Sequence, residues 1–231
     1  MSILLLETAT QICSAAISDN GTIIAERHSE ESNAHSSRLA VFIDELLGTV
    51  RNTGSSPLNA VCVSSGPGSY TGLRIGVSSA KGICYALDIP LLSVPTLQSM
   101  AALFYKQHPD YRGYVCPMID ARRMECYTAI FSREGQVRDT AADVIEHGIF
   151  DKWLDNDEVT FIGDGAEKTR EILSTHPNAR YDTQFRLSAE GLAETAEQKL
   201  KNGEIEDVAY FVPFYLKDFV AKKSVVHGLR Q

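Results

Sequence analysis

The chain has 231 residues, of which 44% are hydrophobic, and it carries a formal net charge of −8. This length allows a sizeable core, and the acidic balance argues against a protein that binds nucleic acid alone, because such binding relies on many Lys and Arg contacts to phosphates. No apolar run approaches the ~20 residues of a membrane span and the N-terminus lacks the basic stretch of a signal peptide, so a cytoplasmic protein without membrane contact is expected.

The first half of the chain is predicted to open with three strands and then to alternate helices and strands. The dipeptide Asn20-Gly21 favours a two-residue hairpin between the second and third strands. The apolar residues from Leu39 to Val50 recur with the 3.6-residue period of an amphipathic helix. The predicted strands are 3–9, 13–19, 21–29, 60–65 and 90–95, and the predicted helices are 36–51, 71–88 and 96–107.

From Tyr114 the same order of elements is predicted again, although the two halves have dissimilar sequences. The predicted strands are 114–120, 124–131, 136–142 and 159–165, and the predicted helices are 147–154 and 166–174. Such a duplication favours an α/β protein with two stacked lobes, each a mixed sheet flanked by helices. This is the plan of the actin-like (ribonuclease H-like) ATPase fold. The expected first lobe is 1–105 and the second, reduced lobe is 106–231, whose C-terminal segment is free to return to the first.

An acid ends the first strand of each half, at Glu7 and at Asp120. In a nucleotide-binding fold such acids could hold a metal ion through waters, with Gly163 and Gly165 beside the nucleotide. They could equally be strand-end carboxylates that accept backbone hydrogen bonds, and this second interpretation is favoured.

The segment SSGPGSYTGLRIG, residues 64–76, matches no strict phosphate or nucleophile motif. Its glycines are not spaced as GxGxxG, no GxxxxGK string occurs, and Ser69 lacks the flanking glycines of a nucleophile elbow. The helix that follows has a face of small residues. Because glycine inside a helix costs about 1 kcal/mol relative to alanine, that face predicts a closely packed neighbour, which is either the Leu39–Val50 helix or a helix of a partner.

Other reactive side chains give little sign of a catalytic site. The histidines are too dispersed for a metal site, and the five cysteines form no CxxC pair, so metal ligation is not expected and the thiols are predicted to be structural. The adjacent Arg122 and Arg123 are either a substrate clamp or, the favoured interpretation, a solvated hairpin end.

Several motifs together resemble the bacterial TsaB family, also called YeaZ. They are GPGSYTGLRIG with AKG downstream, IPLLSVPTLQSMA, IDARRMECYTA and PFYLK. The first motif is also similar to one in the catalytic relative, TsaD, where a His-x-x-x-His pair binds the active-site metal. The corresponding positions here are Thr96 and Met100, neither of which replaces an imidazole.

The resemblance implies a non-catalytic scaffold subunit of the machinery that transfers threonylcarbamoyl to the adenosine beside the tRNA anticodon. It implies binding to a catalytic TsaD-type subunit, a complex that also engages a TsaE-type ATPase, a homodimer in isolation, and tRNA contact only through the complex. No cofactor is expected, although weak or shared-interface nucleotide binding is compatible with it. An ATP-binding phosphotransferase of the actin-like class is the alternative, and a peptidase is a second rival.

The resemblance also places the partner contacts on the first-lobe helices. The residues carried over are Leu39, Phe42, Ile43, Leu46, Gly72, Ile75, Gly76, Ser79 and Ile83. The residual nucleotide site would comprise Glu7, Asp120, Gly163 and Gly165. Glu7 stands where the family often has Asp, Tyr70 where Phe is usual and Lys217 where Arg is usual, so a nucleotide role for Glu7 is the least supported.

Overall fold

A computed structural model describes residues 1–31, 33–53 and 57–217. Its strands form two five-stranded mixed sheets. The strands of the first sheet are β1 (Ser2–Glu7), β2 (Cys13–Asp19), β3 (Thr22–Ser29), β4 (Leu58–Ser64) and β5 (Leu91–Val94). The strands of the second sheet are β6 (Tyr114–Asp120), β7 (Glu125–Ser132), β8 (Gly135–Val144), β9 (Val159–Ile162) and β10 (Ala179–Asp182).

The helices flank these sheets. They are α1 (Ala34–Ser37), α2 (Leu39–Thr53), α3 (Tyr70–Leu87), α4 (Thr96–Gln107), α5 (Asp151–Leu154), α6 (Ala166–Leu173) and α7 (Ala193–Asn202), with a 3₁₀ turn at Ala189–Leu192. In the described part of the chain, no helix is both long and apolar enough to cross a bilayer.

The two sheets repeat one topology. The first has the strand order β3-β2-β1-β4-β5, and the second, taken from its other edge, has the order β8-β7-β6-β9-β10. In each sheet the central strand pairs antiparallel with the second strand and parallel with the fourth. The predicted two-lobed actin-like α/β fold is confirmed.

The core packing divides the chain before Thr96 rather than at residue 105. Leu97, Met100 and Phe104 of α4 pack with Val115 of β6 and Ala129 of β7, so this helix belongs to the second sheet. The C-terminal elements, in contrast, return from the second lobe to the first. The 3₁₀ turn and α7 bury their apolar side chains against the first sheet, in a cluster that contains Ile3, Leu5, Leu192, Ala193 and Ala196.

Most predicted elements are present, with small shifts at their ends. The predicted helix at 147–154 is reduced to the four residues of α5, after a turn around Gly148 with φ 84°. The strand β10, the 3₁₀ turn and α7 were not predicted. Residues 218–231 of the predicted second lobe lie outside the described residues.

Candidate functional site

The glycine helix α3 packs against the loop that leaves β1. A Cβ atom on Gly72 would overlap the main-chain oxygen of Thr8, and one on Gly76 would overlap Thr8 Oγ1. Both glycines and Thr8 are buried. The close neighbour that the small residues predicted is therefore the chain's own Thr8, not another helix.

The loop before α3 uses its backbone hydrogen bonds internally. The amide of Ser69 donates to the carbonyl of Ala9 (2.6 Å), and Ser69 Oγ caps the helix by accepting from the amide of Gly72 (3.3 Å). Gly66, at φ 110°, donates its amide to Thr96 Oγ1 (3.1 Å) and accepts from the Thr96 amide (2.9 Å). Because these amides already have partners, this segment is a joint between β4, α3 and α4.

Glu7 is a buried strand-end carboxyl that takes part in this joint. Its Oε1 accepts from the amide of Ala9 (2.8 Å) and from Ser64 Oγ (2.8 Å), while Oε2 has no hydrogen-bond partner among the described residues. Burial raises the pKa of Glu7 to about 7, against the lowering effect of these hydrogen bonds. The side chain thus accepts a backbone hydrogen bond within its own loop, which agrees with the favoured interpretation of a strand-end carboxylate.

The residues predicted to bind a partner divide into two groups. Ile75, Ser79 and Ile83 of α3 are half-buried and remain accessible. The other six are buried within the chain and are corrected here: Leu39, Phe42, Ile43 and Leu46 form core contacts, and Gly72 and Gly76 pack on Thr8. The apolar period of α2 therefore marked the face that is turned to the first sheet.

A cleft of about 660 Å³ lies between the two lobes. The first lobe contributes Thr10, Gln11 and Ile12 from the β1–β2 loop, and the second contributes Gly163 and the start of α6. The charged residues that line the cleft are the acids Glu30, Asp164, Glu167 and Asp182 and the bases Arg170 and Arg186.

Both of these arginines face a carboxylate. Arg170 pairs with Glu167 (2.8 Å) and Arg186 pairs with Glu30 (3.6 Å). Each described arginine of the cleft therefore has a carboxylate beside it, and both pairs are largely exposed.

The four residues predicted for a residual nucleotide site do not form one group. Gly163 lines the cleft, but Glu7 and Asp120 do not. Asp120 Oδ1 accepts from the amide of Arg122 (2.7 Å) and from Lys168 Nζ (2.5 Å). Gly165 is buried against the backbone of β6, and its amide donates to the carbonyl of Met118 (3.0 Å).

No cluster of three or more metal-ligating side chains exists among the described residues. Thr96 and Met100, at the positions compared above with a histidine pair, are both buried. The hydroxyl of Thr96 holds Gly66, and the side chain of Met100 lies against Gly163, where a Cβ atom would approach Met100 Cε within 2.5 Å.

The C-terminal strip, residues 208–217, lies along α3 and was not predicted as a functional element. Lys81 Nζ donates to the carbonyls of Ala209 (3.0 Å) and Phe211 (3.1 Å), and the amide of Phe214 donates to the carbonyl of Ser65 (2.7 Å). Its alternate side chains are exposed and large: Tyr210 is 82% exposed, Val212 69% and Phe214 48%. The signal in the sequence was the run of large apolar and aromatic residues around Pro213, from Tyr210 to Tyr215.

A family model described as "TsaD: tRNA N6-adenosine threonylcarbamoyltransferase" matches residues 22–225. A protein of Escherichia coli K12 named "tRNA threonylcarbamoyladenosine biosynthesis protein TsaB" is 30% identical over 97% of this chain and 98% of its own length. The protein of the same name in Bacillus subtilis 168 is 30% identical over 94% of both chains. The chain belongs to the TsaB (YeaZ) family. It also belongs to the wider family that the TsaD model describes.

A solved structure shares the fold of this TsaB-family chain. YeaZ from Pseudomonas aeruginosa superposes with a TM-score of 0.77 at 24% identity, over 93% of this chain and 99% of that one. The predicted family is thus confirmed by relatives that match almost the whole TsaB-family sequence, including the second lobe, where the motifs were sparse.

Proposed function

We propose that this chain takes part in threonylcarbamoyladenosine biosynthesis on tRNA as a non-catalytic subunit that binds a catalytic TsaD-type subunit. Support comes from relatives named for this pathway that match 97% and 94% of the chain. The isolated chain forms a homodimer in this proposal, and the assembled complex engages a TsaE-type ATPase.

The non-catalytic role is inferred mainly from the contacts that the side chains of Thr96 and Met100 make. Both side chains lie in internal contacts of the joint and the cleft floor. A hydroxyl committed to a backbone amide and a buried thioether supply neither an imidazole ligand nor a proton-transfer group. The metal chemistry of the transfer then belongs to the partner.

The docking face we propose is the outer side of α3, with the accessible Ile75, Ser79 and Ile83. On the other flank of α3, where Lys81 holds the C-terminal strip, the exposed side chains of Tyr210 and Val212 add apolar surface. Exposed apolar side chains of this kind are typical of a protein interface. The buried glycines beneath it fix the position of α3 on the loop after β1, and so present the face as one rigid unit.

The test is co-purification of the tagged chain with the TsaD-type subunit of the same genome, followed by an assay of threonylcarbamoyl transfer to tRNA. Transfer is expected only when both subunits are present. Ser79→Arg should abolish co-purification, because a bulky cation replaces a small side chain at the centre of the face. Val137→Arg, on the exposed edge strand β8, is the matched control and should co-purify normally.

Transfer by this chain alone would contradict the non-catalytic role. Undiminished co-purification of a folded Ser79→Arg variant would contradict the docking face. Thermal denaturation of both variants establishes that they are folded, so that lost binding is not mistaken for lost structure.

A further inference from the structure

The β6–β7 hairpin presents two adjacent guanidinium groups. Arg122 and Arg123 both have positive φ, 72° and 52°, which is uncommon for non-glycine residues. The turn is fixed by hydrogen bonds from the Arg122 amide to Asp120 Oδ1 (2.7 Å) and from Lys168 Nζ to the carbonyl of Arg123 (2.8 Å). Both side chains are exposed, and within the ranges that the structure describes neither has an ion-pair partner.

The C-terminal strip joins this hairpin to the start of α3. Lys217 pairs with Glu125 at the hairpin, and the ring of Tyr215 lies 5.0 Å from that of Tyr70. Arg74, one turn into α3, donates to Tyr70 Oη (2.9 Å) and lies over the same ring. These contacts make one continuous surface, which we call the basic–aromatic surface. It consists of Tyr70, Arg74, Arg122, Arg123, Phe214, Tyr215 and Lys217.

The charge of this surface is opposite to that of the chain. Among the acids beside it, Asp120 and Glu125 are each paired with a lysine, and Asp164 accepts from the amide of Asp120 (2.9 Å). The three guanidiniums of Arg74, Arg122 and Arg123 have no carboxylate partner among the described residues, although the whole chain carries a net charge of −8. Exposed aromatic rings stand among these cations, since Phe214 is 48% and Tyr215 38% exposed.

We propose that the basic–aromatic surface binds RNA within the assembled complex, an inference that rests on the proposed function. Guanidinium groups neutralise phosphates, and exposed aromatic rings stack on unpaired bases, which is how proteins hold single-stranded segments of RNA. Three free guanidiniums are too few for tight binding by an acidic chain alone. The surface therefore adds contacts to RNA that the catalytic subunit already holds. An acidic protein segment would meet the same arginines but gain little from the exposed rings.

The experiment measures binding of an unmodified tRNA transcript to the complex of this chain with its TsaD-type subunit, by fluorescence anisotropy across a salt titration. The variant is Arg122→Asn with Arg123→Asn, because asparagine tolerates positive φ and leaves the hairpin intact. The matched control is Lys152→Asn with Lys201→Asn, which removes two exposed positive charges elsewhere. The same titration is repeated at low salt on the full chain alone, and photo-crosslinking maps the contacted peptides.

The arginine variant should weaken tRNA binding about tenfold or more and reduce the slope of log K against log salt by roughly 0.7 per lost contact. The control should leave both unchanged, and crosslinks should map to the hairpin or the C-terminal strip. Equal affinity of wild type and arginine variant overturns the proposal, while co-purification with the TsaD-type subunit separately decides the proposed function. Weakened capture of that subunit with unchanged tRNA binding would assign the surface to an acidic protein partner and also overturns it.

If wild type fails to bind the TsaD-type subunit, the proposed function fails. The low-salt titration and the crosslinks on the chain alone then decide the RNA proposal: binding that the arginine variant weakens supports it, and no binding overturns it.

Discussion

Gly76 lies directly on Thr8, so that a Cβ atom at position 76 would overlap Thr8 Oγ1. The same loop continues through Thr10 and Ile12 into the wall of the interlobe cleft. One short connection after β1 therefore supports both the helix proposed to meet a partner and the cleft between the lobes. A displacement of this loop would shift both α3 and the wall of the cleft, because close-packed groups transmit strain.

The first prediction concerns the glycines of α3. Gly72→Ala should lower the free energy of unfolding by about 1–3 kcal/mol, because the added Cβ would overlap the carbonyl oxygen of Thr8, and a main-chain atom cannot move aside as a side chain can. Gly82→Ala on the same helix is the control. It has no atom within 4 Å of the added Cβ, so it should raise stability by about 0.5–1 kcal/mol. Urea denaturation measures the stability of both variants. If Gly72→Ala were as stable as Gly82→Ala, the packing argument would be refuted.

The second prediction concerns Glu7 and pH. Its pKa is raised to about 7 from an ordinary value of 4.5, so the folded state holds a proton that the unfolded state has released. Stability should therefore fall as pH rises from about 4.5 to about 7, by up to about 3 kcal/mol. Glu7→Gln removes the titration and retains an oxygen for the Ala9 amide and the Ser64 hydroxyl.

Urea denaturation at pH 5 and pH 8 tests this. The Gln variant should gain stability relative to wild type between these values, with little difference at pH 5. A parallel pH dependence of the two proteins would show that another group controls this range.

Local sequence patterns predicted much of the fold because the burial of one face of a helix or strand leaves a regular spacing of apolar residues. The apolar period from Leu39 to Val50 and the run from Ala60 to Val63 correspond to buried faces of α2 and β4. The helix α7 carried an equally readable signal, since Ala193, Ala196 and Leu200 share one face and Gly203 ends the helix in a left-handed conformation at φ 71°. What no local pattern contained was its return to the first sheet, which depends on long-range packing.

The candidate site was less predictable for the same reason. Several glycines on one helix face indicated a close neighbour, but spacing along α3 cannot say that the neighbour is Thr8, which lies about 70 residues earlier in the chain. Leu39 and Leu46 were predicted to contact a partner, but they are buried in the core of the first lobe. An apolar stripe has the same appearance whether a sheet or a partner covers it.

The third prediction concerns the bond between α4 and the glycine loop. Thr96→Val keeps the shape of the side chain but leaves the buried amide of Gly66 without its acceptor. An unpaired buried donor costs about 1–3 kcal/mol, so this variant should unfold at lower urea concentration. Thr96→Ser retains the hydroxyl and should recover most of the loss. If valine and serine variants are equally stable, the hydrogen bond contributes nothing to the joint.

The last prediction compares two ion pairs in the second lobe. Arg138 donates two hydrogen bonds of 2.8 Å to Asp143, where the side chains are only 19% and 11% exposed. Arg170 pairs at 2.8 Å with Glu167, which is 67% exposed. Removing one member of a buried pair leaves an unpaired buried charge, which costs about 3–5 kcal/mol of stability. An exposed pair contributes only about 0–1 kcal/mol.

Asp143→Ala should therefore destabilise the protein several-fold more than Glu167→Ala, although both remove one carboxylate from an arginine. Asp143 also accepts a hydrogen bond from Thr128 Oγ1, which Asp143→Asn preserves. The Asn variant consequently removes the charge and one acceptor but keeps one oxygen for Thr128 and Arg138, so it should lie between wild type and the Ala variant in thermal denaturation. Equal destabilisation by Asp143→Ala and Glu167→Ala would mean that solvent reaches the Arg138 guanidinium once its partner is gone, since only continued burial makes the unpaired charge costly.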